Sequence, residues 1–160
     1  MRHAIFSTLL SISMISMVFA ADEGSWFDMQ NCEMCKPLMA SEGLMENMTW
    51  EHHNVSSGLV SICNVDKDYL DTYKKAQMQM NAVAEKWMRG EPVYLCNMCK
   101  NMGSILKSGA VSDIVGSGNT FIRVTSSANP EILEAIHNWT DRTNKEMQAM
   151  MRGQHSGHEH

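Results

Sequence analysis

Cys32-Glu33-Met34-Cys35-Lys36 and Cys96-Asn97-Met98-Cys99-Lys100 are two copies of one pattern, Cys-x-Met-Cys-Lys, set 64 residues apart. They hold four of the five cysteines in the chain. The stretches that follow them also match, which marks a tandem duplication and constrains the fold. A unit of this size buries its own apolar face poorly, so two copies must pack against each other.

The first copy continues with a short helical stretch from Pro37 to Met48. A β-rich run, Thr49 to Val55, then leads through Ser56-Ser57-Gly58 to a second run, Leu59 to Val65. The second copy has a helical stretch from Asn101 to Lys107, then Ala110 to Val115, Gly116-Ser117-Gly118 and Thr120 to Thr125. Small residues with glycine between two β-rich runs predict hairpins. A long helix closes each copy. The first follows the capping residue Asp66 and runs to about Met88, with Leu70, Tyr73, Met80, Val83, Ala84 and Trp87 near one face. The second opens on Asn129-Pro130, a cap followed by proline at the first helical position. Its apolar stripe is Ile132, Ile136, Trp139, Thr143, Met147 and Met150. Methionines 80, 88, 147 and 150 fall where core residues belong.

The predicted fold is therefore α+β: a duplicated (Cys-x-x-Cys)-α-β-β-α unit, spanning residues 21–90 and 91–152. Its two hairpins would join as a pseudo-twofold, four-stranded antiparallel sheet with helices on one face. Such a twofold would bring equivalent residues, and so the two cysteine motifs, near one another.

Residues 1–20 read as a signal peptide. Arg2 and His3 precede an apolar run from Ala4 to Phe19, and Val18-Phe19-Ala20 places small residues for cleavage after Ala20. Export to a periplasm or secretion follows from this reading. The formal charge of −5 becomes −6 once Arg2 leaves. An acidic chain with no Lys/Arg cluster is a poor partner for nucleic acid. No later segment is long and apolar enough to insert in a membrane. Asn47, Asn54 and Asn138 head formal glycosylation triplets, relevant only on a eukaryotic secretory route.

Two Cys-x-x-Cys loops supply four thiolates from two separate segments, the ligand set of a tetrahedral Zn(II) site formed by Cys32, Cys35, Cys96 and Cys99. The loops resemble zinc knuckles in spacing alone, with Lys36 and Lys100 where a knuckle often has glycine. Soft ligands also select Cu(I). Met34 and Met98 sit between the paired cysteines, and Met29, Met39, Met45, Met48 and Met102 lie around the motifs. The competing reading is a thiol–disulfide redox protein, in which Cys35 and Cys99 precede helices that stabilise a thiolate. A third is a binding module whose cysteines only staple the fold. Cys63, in an apolar run, reads as a buried small hydrophobe.

His52 and His53 are neighbours on one strand and point to opposite faces, so at most one can serve a given site. His137 falls beside the apolar stripe of the closing helix. The segment 153–160 is polar and carries His155, His158 and His160, three imidazoles that could hold a metal from a disordered tail. No nucleophile elbow, His-Glu-x-x-His or phosphate-binding glycine loop is present. The plan suggests a small accessory protein with a metal ion as partner rather than an enzyme.

Overall fold

The computed structural model describes residues 25–155. The segment 1–20 expected to be a signal peptide and the last five residues lie outside that range. The element order is α1 (Lys36–Met39), β1 (Met48–Val55), β2 (Gly58–Val65), α2 (Leu70–Met88), α3 (Asn97–Lys107), β3 (Val111–Ser117), β4 (Thr120–Ser126) and α4 (Pro130–His155). Short 3-10 turns at Met45–Asn47 and Lys67–Tyr69 lead into β1 and α2. The chain is α+β, with one antiparallel sheet of strand order β1-β2-β4-β3.

Both hairpins form, each closed by two residues. Val55 pairs with Gly58 around Ser56-Ser57, and Ser117 pairs with Thr120 around Gly118-Asn119. The second turn lies two residues beyond the start of the expected Gly116-Ser117-Gly118 segment. Gly116 and Ser117 remain in β3, and Gly118 alone adopts the positive φ, +62°, that the turn needs. The helix expected from Pro37 to Met48 is a single turn, Lys36–Met39. Gly43 at φ +72° breaks it, and the Asn47 side chain donates to the Gly43 carbonyl at 2.7 Å. Asp66 caps the 3-10 turn by accepting from the Asp68 N–H, and α2 begins only at Leu70. At the other end, α4 runs to His155, three residues into the segment 153–160 expected to be a tail.

One sheet face is covered. Leu59, Cys63 and Val65 alternate toward it from β2 and are buried. Trp50, Cys63 and Phe121 lie side by side across β1, β2 and β4. Tyr73 and Ala76 of α2 join Cys63, Val65, Leu38 and Leu44 in one buried cluster. Ile136 and Trp139 of α4 join Leu59 and Ile105 in another. Thus α2 and α4 share the same face at opposite ends of β2. Val60, Ile62, Ile122, Val124 and Val115 alternate to the other face and belong to none of these clusters.

The methionines divide. Met48 is buried and Met80 packs against the core. Met88 and Met150, expected as core residues, are 50% and 43% exposed. Each falls on the last turns of its helix, beyond the reach of the sheet.

Candidate metal centre

The first cysteine motif precedes and enters α1; the second starts α3. Cys96 is the residue before α3, in extended conformation at ψ 165°, and Asn97 is already helical. The helix thus begins four residues earlier than expected at Asn101, and Cys99 lies within its first turn. Met98 is a helical residue too, not a loop residue. Early helix formation is possible because the free N–H groups of the first turn find partners. Asn97 N–H donates to the Ser25 carbonyl at 3.5 Å and Met98 N–H to the Trp26 carbonyl at 3.0 Å. In the first motif, the Cys35 and Lys36 N–H groups fold back on the Cys32 carbonyl at 3.0 and 2.9 Å.

Tyr94 fastens the two motifs together. Its carbonyl accepts from Glu33 N–H at 2.9 Å, its N–H donates to Glu33 Oε1 at 3.1 Å, and its hydroxyl donates to Asp28 Oδ2 at 2.8 Å. From the other side, Trp87 at the end of α2 packs on the same cluster. Gly103 leaves the space for that ring, since a Cβ there would sit 2.6 Å from Trp87 Cζ3. Lys107 Nζ lies 3.5 Å from the Trp87 ring centroid and donates to the Trp87 carbonyl at 3.1 Å.

These constraints bring Cys32, Cys35, Cys96 and Cys99 together. Their four sulfurs lie within 4.8 Å of one another, and Cys35 Sγ is 3.7 Å from Cys99 Sγ. Tetrahedral Zn–S bonds of about 2.3 Å place sulfurs about 3.8 Å apart. No disulfide joins any of the five cysteines. Cys32, Cys35 and Cys96 are buried and Cys99 is half-buried. The sulfurs are thus clustered at metal-binding distance.

Four thiols this close cannot all ionise, and they divide their protons unequally. Cys96 is held far below the ordinary thiol range, first by the Cys32 thiol, then by Cys35 and Cys99. Cys32 is pulled down to about 7, chiefly by Cys35. Cys35 is pushed far up, first by Cys32, and Cys99 likewise, first by Cys32 and then by Cys35. Burial raises all four. Metal binding requires all four as thiolates, and a bound cation would offset the cost of ionising Cys35 and Cys99 in this buried setting.

Met34 and Met98 pack against the cysteines as partly buried neighbours, together with Met29. His52 lies elsewhere: its Nδ1 is 2.9 Å from Ser61 Oγ and its ring meets Trp139 edge-on at 5.4 Å between centroids. Burial lowers its pKa to about 4. His53 points away and pairs with Glu51 at 3.1 Å. His137 Nε2 donates to the Val55 carbonyl at 3.0 Å. Cys63 is buried in β2 beside Tyr73 and Trp50. Among the described residues, the four cysteines form the one group of His, Cys, Asp or Glu side chains spaced to hold a metal. His155 ends α4, while His158 and His160 lie outside the described residues.

Sequence reasoning placed Trp87 on the apolar face of the first long helix without linking it to the cysteines, and did not single out Tyr94 or Gly103. Tyr94, two residues before Cys96, was the nearest available signal. A surface groove of about 730 Å³ between α3 and α4, with Trp26, Ile105, Trp139 and Arg142 in its wall, includes none of the cysteines. Among the described residues, no helix is long and apolar enough to cross a membrane. Comparison with family models, curated proteins and solved structures finds no match.

Proposed function

We propose that this is an exported metal-binding protein in which Cys32, Cys35, Cys96 and Cys99 hold one Zn(II) ion. The carrying observation is the mutual approach of four sulfurs, within 4.8 Å, from motifs at the entrances to α1 and α3. Tetrahedral sulfur coordination suits zinc. An ion there would tie residues 21–90 to residues 91–152 and add its binding free energy to folding. Cu(I) is the other soft-ligand candidate, supported by the methionines around the motifs. The sequence-level signal peptide supports periplasmic or secreted localisation. We further infer that the halves arose by duplication, supported by the matching motifs and by the helix–strand–strand–helix order that each half follows. Metal analysis of protein purified without oxygen, combined with a free-thiol count, tests the reading. About one tightly held zinc per chain is expected. Protein with neither metal nor reducible motif cysteines would overturn it.

A thiol–disulfide role is the second reading, favoured by one observation. Cys96 stands at the N-terminus of the 11-residue α3, and its pKa is lowered, first by the Cys32 thiol and then by Cys35 and Cys99. That is the setting of an attacking thiolate. Catalysed exchange with a model disulfide, lost in Cys96→Ser, would favour this role over the metal site.

A further inference from the structure

The helices α2 and α4 pack on one face of the sheet and leave the other open. Residues paired across the strands share a row, and every second row points to the open face. The two central rows there are His53–Val60–Val124–Asp113 and Glu51–Ile62–Ile122–Val115, read across β1, β2, β4 and β3. Val60, Ile62, Ile122 and Val124 therefore form a β-branched block in the middle of the face. Val115 beside it is 60% exposed. Polar side chains border the block, with His53 and Glu51 along β1 and Asp113 along β3. An apolar centre inside a polar rim is the anatomy of a protein–protein contact.

The pattern itself says what fits it. Across the midline between β2 and β4, Val60 stands beside Val124 and Ile62 beside Ile122, while Val55 and Val111 end one shared row. A half-turn about an axis along that midline lays Val60 of one copy on Val124 of another, Ile62 on Ile122 and Val55 on Val111. An isologous contact requires this self-complementarity. The same half-turn sets His53 opposite Asp113 of the second copy, so a basic imidazole meets a carboxylate rather than its own kind. Arg123 is the one Lys or Arg in the four strands, and it alternates to the covered face. The open face thus lacks the cations that nucleic acid or an anionic lipid surface would need.

We propose that the open sheet face, centred on Val60, Ile62, Ile122 and Val124, docks a second copy of this chain in a twofold dimer, sheet on sheet. Strand directions in such a packing agree within about 30°. Four strands about 4.8 Å apart, each seven or eight residues long, cover about 450 Å². A standard interface takes about 800 Å² from each partner. The dimer is therefore a reversible one. It does not depend on the zinc reading, because no cysteine of the metal centre lies on this face.

Sedimentation velocity of the purified chain from about 1 µM to about 500 µM tests this. A concentration-dependent equilibrium between monomer and dimer is expected. Ile122→Glu puts a carboxylate into the apolar centre and should raise the dissociation constant at least about tenfold, with the circular dichroism of the parent retained. The rim gives a second test that leaves the centre intact. Asp113→Lys and His53→Glu should each weaken the dimer, and the double variant should restore it, since the opposed charges have only exchanged sides. A chain that stays monomeric over the whole range would overturn the proposal. So would a dimer that survives Ile122→Glu and dissociates in Ile114→Lys, which would put the contact on the edge of β3.

Discussion

Cys35 Sγ lies 3.7 Å from Cys99 Sγ, although the two residues are 64 apart in sequence. Each is the second cysteine of its motif. The contact therefore runs between motifs, not within one, and a single ion could engage both loops. A site of that kind joins the entrance of α1 to the first turn of α3.

Removing one sulfur should release the ion. Apparent binding energies of structural zinc run to about 10–16 kcal/mol, against a total stability of about 5–15 kcal/mol for a typical domain. Cys35→Ser and Cys99→Ser should each lose the metal and melt far below the parent. Cys63→Ala, buried on β2 away from the cluster, should keep its metal and lose only about 1 kcal/mol. Metal content and thermal unfolding of the three variants check this; retention of zinc in Cys99→Ser would argue against a four-sulfur site.

Gly103→Ala should be destabilising despite alanine's better helix propensity. The added Cβ would meet Trp87 Cζ3 at 2.6 Å and Cη2 at 2.8 Å. Overpacking costs about 1–3 kcal/mol, while the propensity gain is about 1 kcal/mol. The expected net loss, about 1 kcal/mol, would show in denaturant unfolding. Combining it with Trp87→Leu should remove most of the penalty, because the clash partner is gone.

Acid should weaken the fold through His52. Its pKa is lowered from 6.5 to about 4, first by burial and then by His53. The unfolded chain binds this proton at higher pH than the folded chain does. The stability contribution is complete above pH 6.5, shrinks as pH falls toward 4 and changes no further below that. At 1.36 kcal/mol per pKa unit the loss reaches at most about 3 kcal/mol. Denaturant unfolding of the parent and of His52→Gln across this window separates the effect from cysteine protonation, which both proteins share. Equal slopes in the two proteins would refute the assignment to His52.

Trp139 links α4 to α3, the helix that carries Cys99, its indole N–H donating to the Met98 carbonyl at 2.9 Å. Trp139→Phe keeps a ring in the cluster and removes the donor. A loss of about 1–2 kcal/mol is expected, from the hydrogen bond and the smaller ring. Zinc content should be unchanged, since the sulfurs are held mainly by Tyr94 and the first turn of α3. Loss of metal in this variant would mean that α4 positions the site.

Most of the sheet was legible in the sequence. Leu59 to Val65 differs from β2 by one residue, and Thr49 to Val55 from β1 by one. Alternation and turn residues act over a few positions, so a local pattern suffices. Helix boundaries beside the cysteines were less legible. Asn97–Lys107 starts early because Ser25 and Trp26 carbonyls, over 70 residues upstream, accept its first N–H groups. Lys36–Met39 ends early because Gly43 turns the chain back, with its carbonyl held by Asn47. The methionines also misled. Met88 and Met150 have the spacing of core residues, yet periodicity reports a face and not how far along the helix that face stays covered.

The sequence by itself determined the strands, the hairpins, the two long helices and the twin cysteine motifs, because each depends on neighbours within a few residues. Only the tertiary structure decided that the four sulfurs meet. It also decided that His52 faces Trp139 while His53 faces water, and that Tyr94 binds one motif to the other. These relationships depend on segments distant in sequence docking against one another. No local pattern encodes the distance between Cys35 and Cys99, which packing of the two halves sets.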